Sequence, residues 1–101
     1  MIIINQTFNV EPSVMADWVQ WLRKVYVPEV MATGYFTDNR IMRLLTEDEE
    51  NGNTFAVQFT MPSATYVSVS DNDFMHKFEL MASQNFGDKV LFFRTVLEVM
   101  N

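Results

Sequence analysis

Apolar and polar residues alternate along the first ten positions of the chain. From Ile2 to Val10 the even positions are apolar except for Gln6, and three of the odd positions between them are polar, namely Asn5, Thr7 and Asn9. A period of two is typical of a β-strand that buries one face. The pattern therefore predicts a strand over residues 2–10 with its even side chains in the core.

The period becomes helical after Pro12. Apolar residues then recur at helical spacing and predict a helix with one broad buried stripe, formed by Val14, Trp18, Trp21, Leu22 and Val25. Ser13 is expected to cap its first turn. Because proline lacks an N–H group, Pro28 is expected to end the helix near residue 27, with one or two further turns closing at Gly34.

A hairpin follows, with strands over residues 35–46 and 53–61 joined by the charged turn 47–52. The returning strand alternates cleanly, and its apolar side consists of Phe55, Val57, Phe59 and Met61. Because one face of a half-buried strand points to the core, this side is predicted to pack on the helices.

The last third of the chain predicts a second helix and a fourth strand. Residues 64–72 have no clear preference, since β-branched residues and serines are unfavourable inside a helix. Asp71 or Asn72 can cap a helix that carries an apolar stripe and ends before Gly87. Residues 90–100 then form the last strand.

The order of elements is strand, helix, hairpin, helix, strand. With right-handed crossovers this order predicts an α+β fold, a ferredoxin-like βαββαβ sandwich with a four-stranded antiparallel sheet and two helices on one face. A chain of 101 residues fits one domain, residues 1–101. The uncovered sheet face suggests that two copies pair through their sheets, and therefore a homodimer.

Composition narrows the possible partners. The net charge is −6, so neither nucleic acid nor an anionic membrane is expected to attract the chain. With no cysteine there is no disulfide and no thiolate metal site, and neither a metal nor a cofactor is expected. The first residues lack the basic region and long apolar run of a signal peptide, so the expected location is the cytoplasm.

The alternation also suggests a polar cluster on the sheet face opposite the helices. A cation, a carboxylate and amides that converge there can orient a small polar or anionic ligand. An alternative is that Arg94 and Glu98 only pair with each other at a wet subunit interface. The candidate ligand-binding residues are Asn5, Thr7, Tyr26, Arg43, Gln58, Arg94 and Glu98.

Other chemistries find little support. His76 is the one histidine, and nothing in the sequence arranges a nucleophile and an acid around it. The acidic run 47–50 lacks the alternating ligands of a calcium loop, and three scattered glycines cannot form a phosphate-binding loop. Residues 52–59 faintly resemble an RNA-recognition strand but lack its basic residue.

Several segments resemble the short bacterial proteins grouped as domain-of-unknown-function family 4286. The resemblance is carried by Trp18-Val-Gln-Trp21, Val27-Pro-Glu-Val-Met-Ala-Thr-Gly34, Phe36-Thr, Met42-Arg-Leu-Leu, Thr54-Phe-Ala-Val-Gln-Phe59 and Phe93-Arg-Thr-Val-Leu-Glu-Val99. It implies a ferredoxin-like domain of the dimeric α+β barrel type and no established activity. This chain has Tyr26 where relatives usually carry histidine.

Three functions remain open. The preferred hypothesis is a homodimeric small-ligand-binding or regulatory domain without established catalysis. A cofactor-independent monooxygenase or isomerase is the alternative, by analogy of fold, and predicts an apolar pocket beside Arg94 or Tyr26. A protein–protein interaction module is the third.

Overall fold

The computed structural model describes residues 1–46, 53–70 and 73–101. Its strands are β1 Ile2–Val10, β2 Asp38–Arg43, β3 Asn53–Met61 and β4 Val90–Glu98. They form one antiparallel sheet in the order β2-β3-β1-β4. The bounds of β1 and β3 are those predicted, whereas β2 and β4 are shorter than the sequence suggested.

Helical segments connect the strands. A 3-10 turn, Pro12–Val14, leads into α1 Met15–Trp21, a π-helical turn Leu22–Tyr26 and α2 Val27–Met31; after β3 come α3 Ser63–Val69, α4 His76–Phe86 and a 3-10 turn Gly87–Lys89. The predicted α+β class with a four-stranded antiparallel sheet is confirmed. The order departs from the six-element motif because α3 precedes α4.

The helices cover one face of the sheet, which we call the inner face. Directly paired residues of antiparallel strands share a face, and the register pairs Phe8 with Phe55 and Ile4 with Phe59. All four are buried, and Trp18 packs on the rings of Phe8 and Phe55. The predicted orientation of β3 is therefore confirmed.

The first helix does not end at Pro28, so that prediction was wrong. The π-helical turn, in which the Val27 amide donates to the Leu22 carbonyl, lies directly before α2, whose second residue is Pro28. An inserted π turn widens the hydrogen-bond register where a proline would otherwise clash with the preceding turn. The chain thus stays helical to Met31.

This wide turn also changes which side chains are buried. Trp18, Leu22, Tyr26 and Val30 are fully buried at a strict spacing of four, whereas Val25, predicted to face the core, is 39% exposed. In a regular α-helix a spacing of four drifts by about 40° per step. The π turn absorbs part of that drift and brings the Tyr26 side chain to the inner face.

The ambiguous segment after β3 forms α3. The hydroxyls of Ser68 and of Ser70, the residue after its end, donate to carbonyls three residues back, those of Thr65 and Val67, so they do not displace the helix bonds. Tyr66 packs against the core. Tertiary packing has therefore outweighed poor helix propensity.

Only some of the predicted helix caps are present in the structure. The Ser13 hydroxyl donates to the Glu11 carboxylate and makes no helix cap. Gly34 and Gly87 both have positive φ, 78° and 59°, as expected beyond a helix end. The predicted caps Asp71 and Asn72, like the turn 47–52, lie outside the described residues. In the described part of the chain, no helix has the length and apolar character needed to span a bilayer.

Candidate functional site

A buried polar chain lies on the inner face. Gln6, the one polar residue on the buried side of β1, is fully buried. The Tyr26 hydroxyl donates to Gln6 Oε1 at 2.8 Å, and Gln6 Nε2 donates to Glu79 Oε2 at 3.0 Å. One amide thus links the first helix to α4 through the sheet.

Arg94 continues the polar chain toward solvent. It pairs directly with Gln6 across β1 and β4, which places it on the inner face. Its Nε lies 3.7 Å from Glu79 Oε2, and its Nη2 lies 2.8 Å from Asp73 Oδ1. The side chains of Glu79, Arg94 and Asp73 are 9%, 29% and 57% exposed, so the polar chain runs from the core to the surface.

The Tyr26 phenol is held neutral. Burial raises its pKa, the hydrogen bond with Gln6 opposes the rise, the Glu79 carboxylate adds to it and the Arg94 guanidinium opposes it. Burial is the largest of these effects. Tyr26 therefore acts as a hydrogen-bond donor at neutral pH, and it is not available as a general base.

A cavity of about 200 Å³ adjoins Arg94 between β1, β4, α3 and the residues that directly precede α4. Most of its wall is apolar, formed by Ile4, Tyr66, Phe74, Met75 and Val96. Its polar groups are supplied by Ser70, Asp73 and Arg94. The cavity thus has a mostly apolar wall and charged side chains at one end.

A second, open groove of about 500 Å³ lies on the surface beside this cavity. It runs along the start of α4, where Tyr35 packs edge-on against Phe74. Its polar lining includes His76 and Lys77. Asp73 and Phe74 line both spaces, so the groove and the cavity adjoin at these two residues.

The opposite, outer face of the sheet carries part of the predicted cluster. Gln58 Nε2 donates to Asn5 Oδ1 at 3.2 Å, and Asn5 Nδ2 donates to Thr7 Oγ1 at 3.2 Å. A shallow pocket of about 320 Å³ lies beside them, between Thr7 and Phe93. Asn5, Thr7 and Gln58 are therefore together, on the face where they were predicted.

The other four candidate residues were placed on the wrong face. The strand register pairs Arg43 with Phe55, Arg94 with Gln6 and Glu98 with Ile2, whose partners all point to the helices. Tyr26 lies in the core beneath the same face. Arg43 lies at the sheet edge, where its Nη2 donates to Asn53 Oδ1 and its Cζ lies 6.0 Å from the centre of the Phe55 ring.

Two of these four residues nevertheless belong to the same buried polar chain. Tyr26 bonds Gln6 and Arg94 contacts Glu79, and neither Gln6 nor Glu79 was among the predicted site residues. The signal for Gln6 was present as the single polar residue on the apolar side of β1. In the residues that the structure describes, no group of three or more histidine, aspartate or glutamate side chains could hold a metal ion.

The four-stranded antiparallel sheet, with helices covering one of its faces, defines an α+β protein. The chain belongs to the family described as a domain of unknown function, DUF4286, whose model matches residues 1–100. This confirms the resemblance noted in the sequence.

The structure is similar to the crystal structure of an ethyl tert-butyl ether D (EthD) family protein from Bacillus halodurans. The TM-score is 0.67 at 12% sequence identity, and the match covers 99% of this chain and 100% of that chain. At this identity the likeness shows the fold alone. No curated protein matches the sequence.

Proposed function

We propose that this protein is a homodimeric small-ligand-binding domain, in which two copies associate through the outer faces of their sheets. The inner face of each copy then supplies a binding cavity beside Arg94. One observation carries the dimer: among the described strand residues the outer face is apolar at its flanks and has only two charged side chains, in a chain whose net charge is −6.

The apolar flanks are exposed in the single chain. Leu91, Phe93 and Leu97 of β4 are 61%, 62% and 42% exposed, and Met42 on the far side of the face is 38% exposed. Exposed apolar side chains grouped on one face are typical of an interaction surface. Two sheets can pack face to face about 10 Å apart and bury such side chains.

Charge favours a second copy as the occupant. Among the described strand residues of the outer face, the charged ones are Asp38 and Arg40, which approach each other to 4.0 Å at the sheet edge. Two acidic chains repel each other over most orientations. A face whose two described charges are of opposite sign is the surface through which they can associate at least electrostatic cost.

The ligand is expected at the inner cavity because its wall combines apolar side chains with a few polar groups, as small-molecule sites do. The described groups beside it are already paired: the Arg94 guanidinium contacts two carboxylates, and the Ser70 hydroxyl donates to a carbonyl. With Tyr26 neutral, this arrangement suits binding better than the proton transfer that the oxygenase or isomerase alternative would need.

Sedimentation of variants tests the dimer. We expect the wild type to sediment at twice 11.8 kDa at micromolar concentration. Phe93→Asp should weaken association at least about tenfold, because it buries two unpaired carboxylates at the interface. Leu80→Asp is the matched control, since Leu80 is exposed on α4, in the helical layer, and its replacement should leave the dimer intact.

A wild-type protein that sediments as a monomer at tens of micromolar would contradict the proposal. Equal behaviour of the two aspartate variants would place the interface somewhere other than the outer face.

A further inference from the structure

We propose that the cavity beside Arg94 binds a small carboxylate with an apolar body, and that the carboxylate of this ligand replaces that of Asp73 on the Arg94 guanidinium. The inference rests on the proposed ligand-binding function and names its ligand class. It also identifies the group that the ligand displaces.

Arg94 supplies the recognition. A guanidinium is a planar fork of donors that matches a carboxylate, and it remains charged at any accessible pH. Its Nη2 already holds one carboxylate at 2.8 Å, beside a wall built from Ile4, Phe74 and Val96. A ligand that combines a carboxylate with an apolar ring would contact both parts of this site.

The two carboxylates on Arg94 are not equivalent. Glu79 is buried and accepts a hydrogen bond from Gln6, so it is fixed in the core. Asp73 is more than half exposed, and in the described part of the chain its carboxylate contacts Arg94 alone. Exposed ion pairs contribute little to stability. Asp73 is therefore the carboxylate that a ligand can replace.

The exchange keeps the local charge constant. With Glu79 and Asp73 beside it, Arg94 is already matched by more than one negative charge. A free anion would be repelled if it had to add to this set. An anion that takes the place of Asp73 leaves the number of charges around Arg94 unchanged, while the Asp73 side chain turns to solvent.

The geometry also gives a route into the cavity. The cavity and the surface groove adjoin at Asp73 and Phe74, and the lining of the groove includes the cationic Lys77 and the imidazole of His76. Displacing Asp73 would join the two spaces. The cavity itself holds about 200 Å³, below the roughly 300–1,000 Å³ of drug-sized sites, so we expect a ligand of about one ring.

An NMR titration with three probes of one shape tests the inference: benzoate, neutral benzamide and cationic benzylamine. We expect saturable shifts of the Arg94 Nε–Hε and Asp73 amide signals with benzoate, and binding at least about tenfold weaker for the other two. Asp73→Asn should tighten benzoate binding about two- to fivefold, because it weakens the internal competitor.

Charge-removing variants complete the test. Arg94→Gln alone leaves Glu79 buried without a cation, so we use the double variant Arg94→Gln/Glu79→Gln, which removes one charge of each sign and leaves the net charge of the site unchanged. It should lose at least about tenfold in benzoate affinity. Arg23→Gln removes the same charge from an exposed position on the first helix and should bind benzoate as the wild type does.

The outcomes separate the two levels of the proposal. Benzamide or benzylamine binding as well as benzoate would overturn the carboxylate class and leave ligand binding at the cavity in place. Weaker benzoate binding by Asp73→Asn would overturn the exchange. If none of the three probes shifts the Arg94 signal at millimolar concentration, both this inference and the proposed ligand-binding function are wrong.

Discussion

The two faces of the sheet carry similar polar side chains in opposite circumstances. On the inner face Gln6 is sealed under the helices and joins a phenol to a carboxylate. On the outer face Gln58 is half-buried and bonds the neighbouring Asn5. The same amide is thus part of a buried polar network on one face and of an open polar surface on the other.

This difference shows where the chain depends on particular polar residues. A buried donor or acceptor that loses its partner has no water to replace it, whereas an exposed one does. The inner network is therefore expected to be sensitive to substitution. The outer face is expected to tolerate substitution in its polar centre and to depend on its apolar flanks.

The largest expected contrast comes from replacing each glutamine by leucine. Gln6→Leu removes the acceptor of the Tyr26 hydroxyl and a donor to Glu79, and should lower the free energy of unfolding by about 2–4 kcal/mol. Gln58→Leu should change it by less than about 1 kcal/mol. Urea unfolding at one fixed protein concentration measures both; equal losses would end the distinction between the faces.

A smaller contrast is expected for two arginines. Arg94→Gln removes the cation beside the buried Glu79 and should cost about 1–2 kcal/mol, less than for a fully buried pair because water reaches the guanidinium. Arg40→Gln on the outer face breaks only an exposed pair and should cost under about 0.5 kcal/mol. A thermal unfolding series would detect the difference. A larger loss of stability for Arg40→Gln than for Arg94→Gln would contradict the view that the inner face depends more on its polar contacts.

Among the substitutions on the inner face, the smallest effect at neutral pH is expected for Tyr26→Phe, about 1 kcal/mol for one lost hydrogen bond. Because folding raises the pKa of Tyr26, its contribution is complete below pH about 10 and is lost as the pH rises through the folded value, by up to about 1.4 kcal/mol per unit. The stability difference between the wild type and this variant should therefore shrink above pH 10. A difference that stays constant with pH would show that the phenol is not buried.

The sequence predicted the two central strands well because each has one clearly apolar side. In β1 and β3 the alternation sets both the bounds and the face. The edge strand β4 gives no such signal, since Phe92 and Val96 on one side are matched by Phe93 and Leu97 on the other. The prediction therefore assigned the alternate residues of β4 to the wrong faces, and Arg94 was placed on the outer face by the same error.

The predicted end of the first helix was wrong for a different reason. A proline argues for a helix end, whereas in the structure a π turn precedes Pro28 and the chain stays helical to Met31. The spacing of four from Trp18 to Val30 was a visible signal of a wide turn. Long-range pairing, such as Gln6 with Glu79 across 73 positions, leaves no local pattern and had to come from the structure.

The most direct test of the whole account compares leucine methyl groups, because they need no substitution. Leu91 and Leu97 lie on the outer face and Leu80 lies on α4, and all three are exposed in the single chain. With a soluble gadolinium chelate at dimer concentrations, we predict strong NMR broadening of the Leu80 methyls and protection of those of Leu91 and Leu97. Equal broadening of all three at every protein concentration would contradict an outer face covered by a second copy.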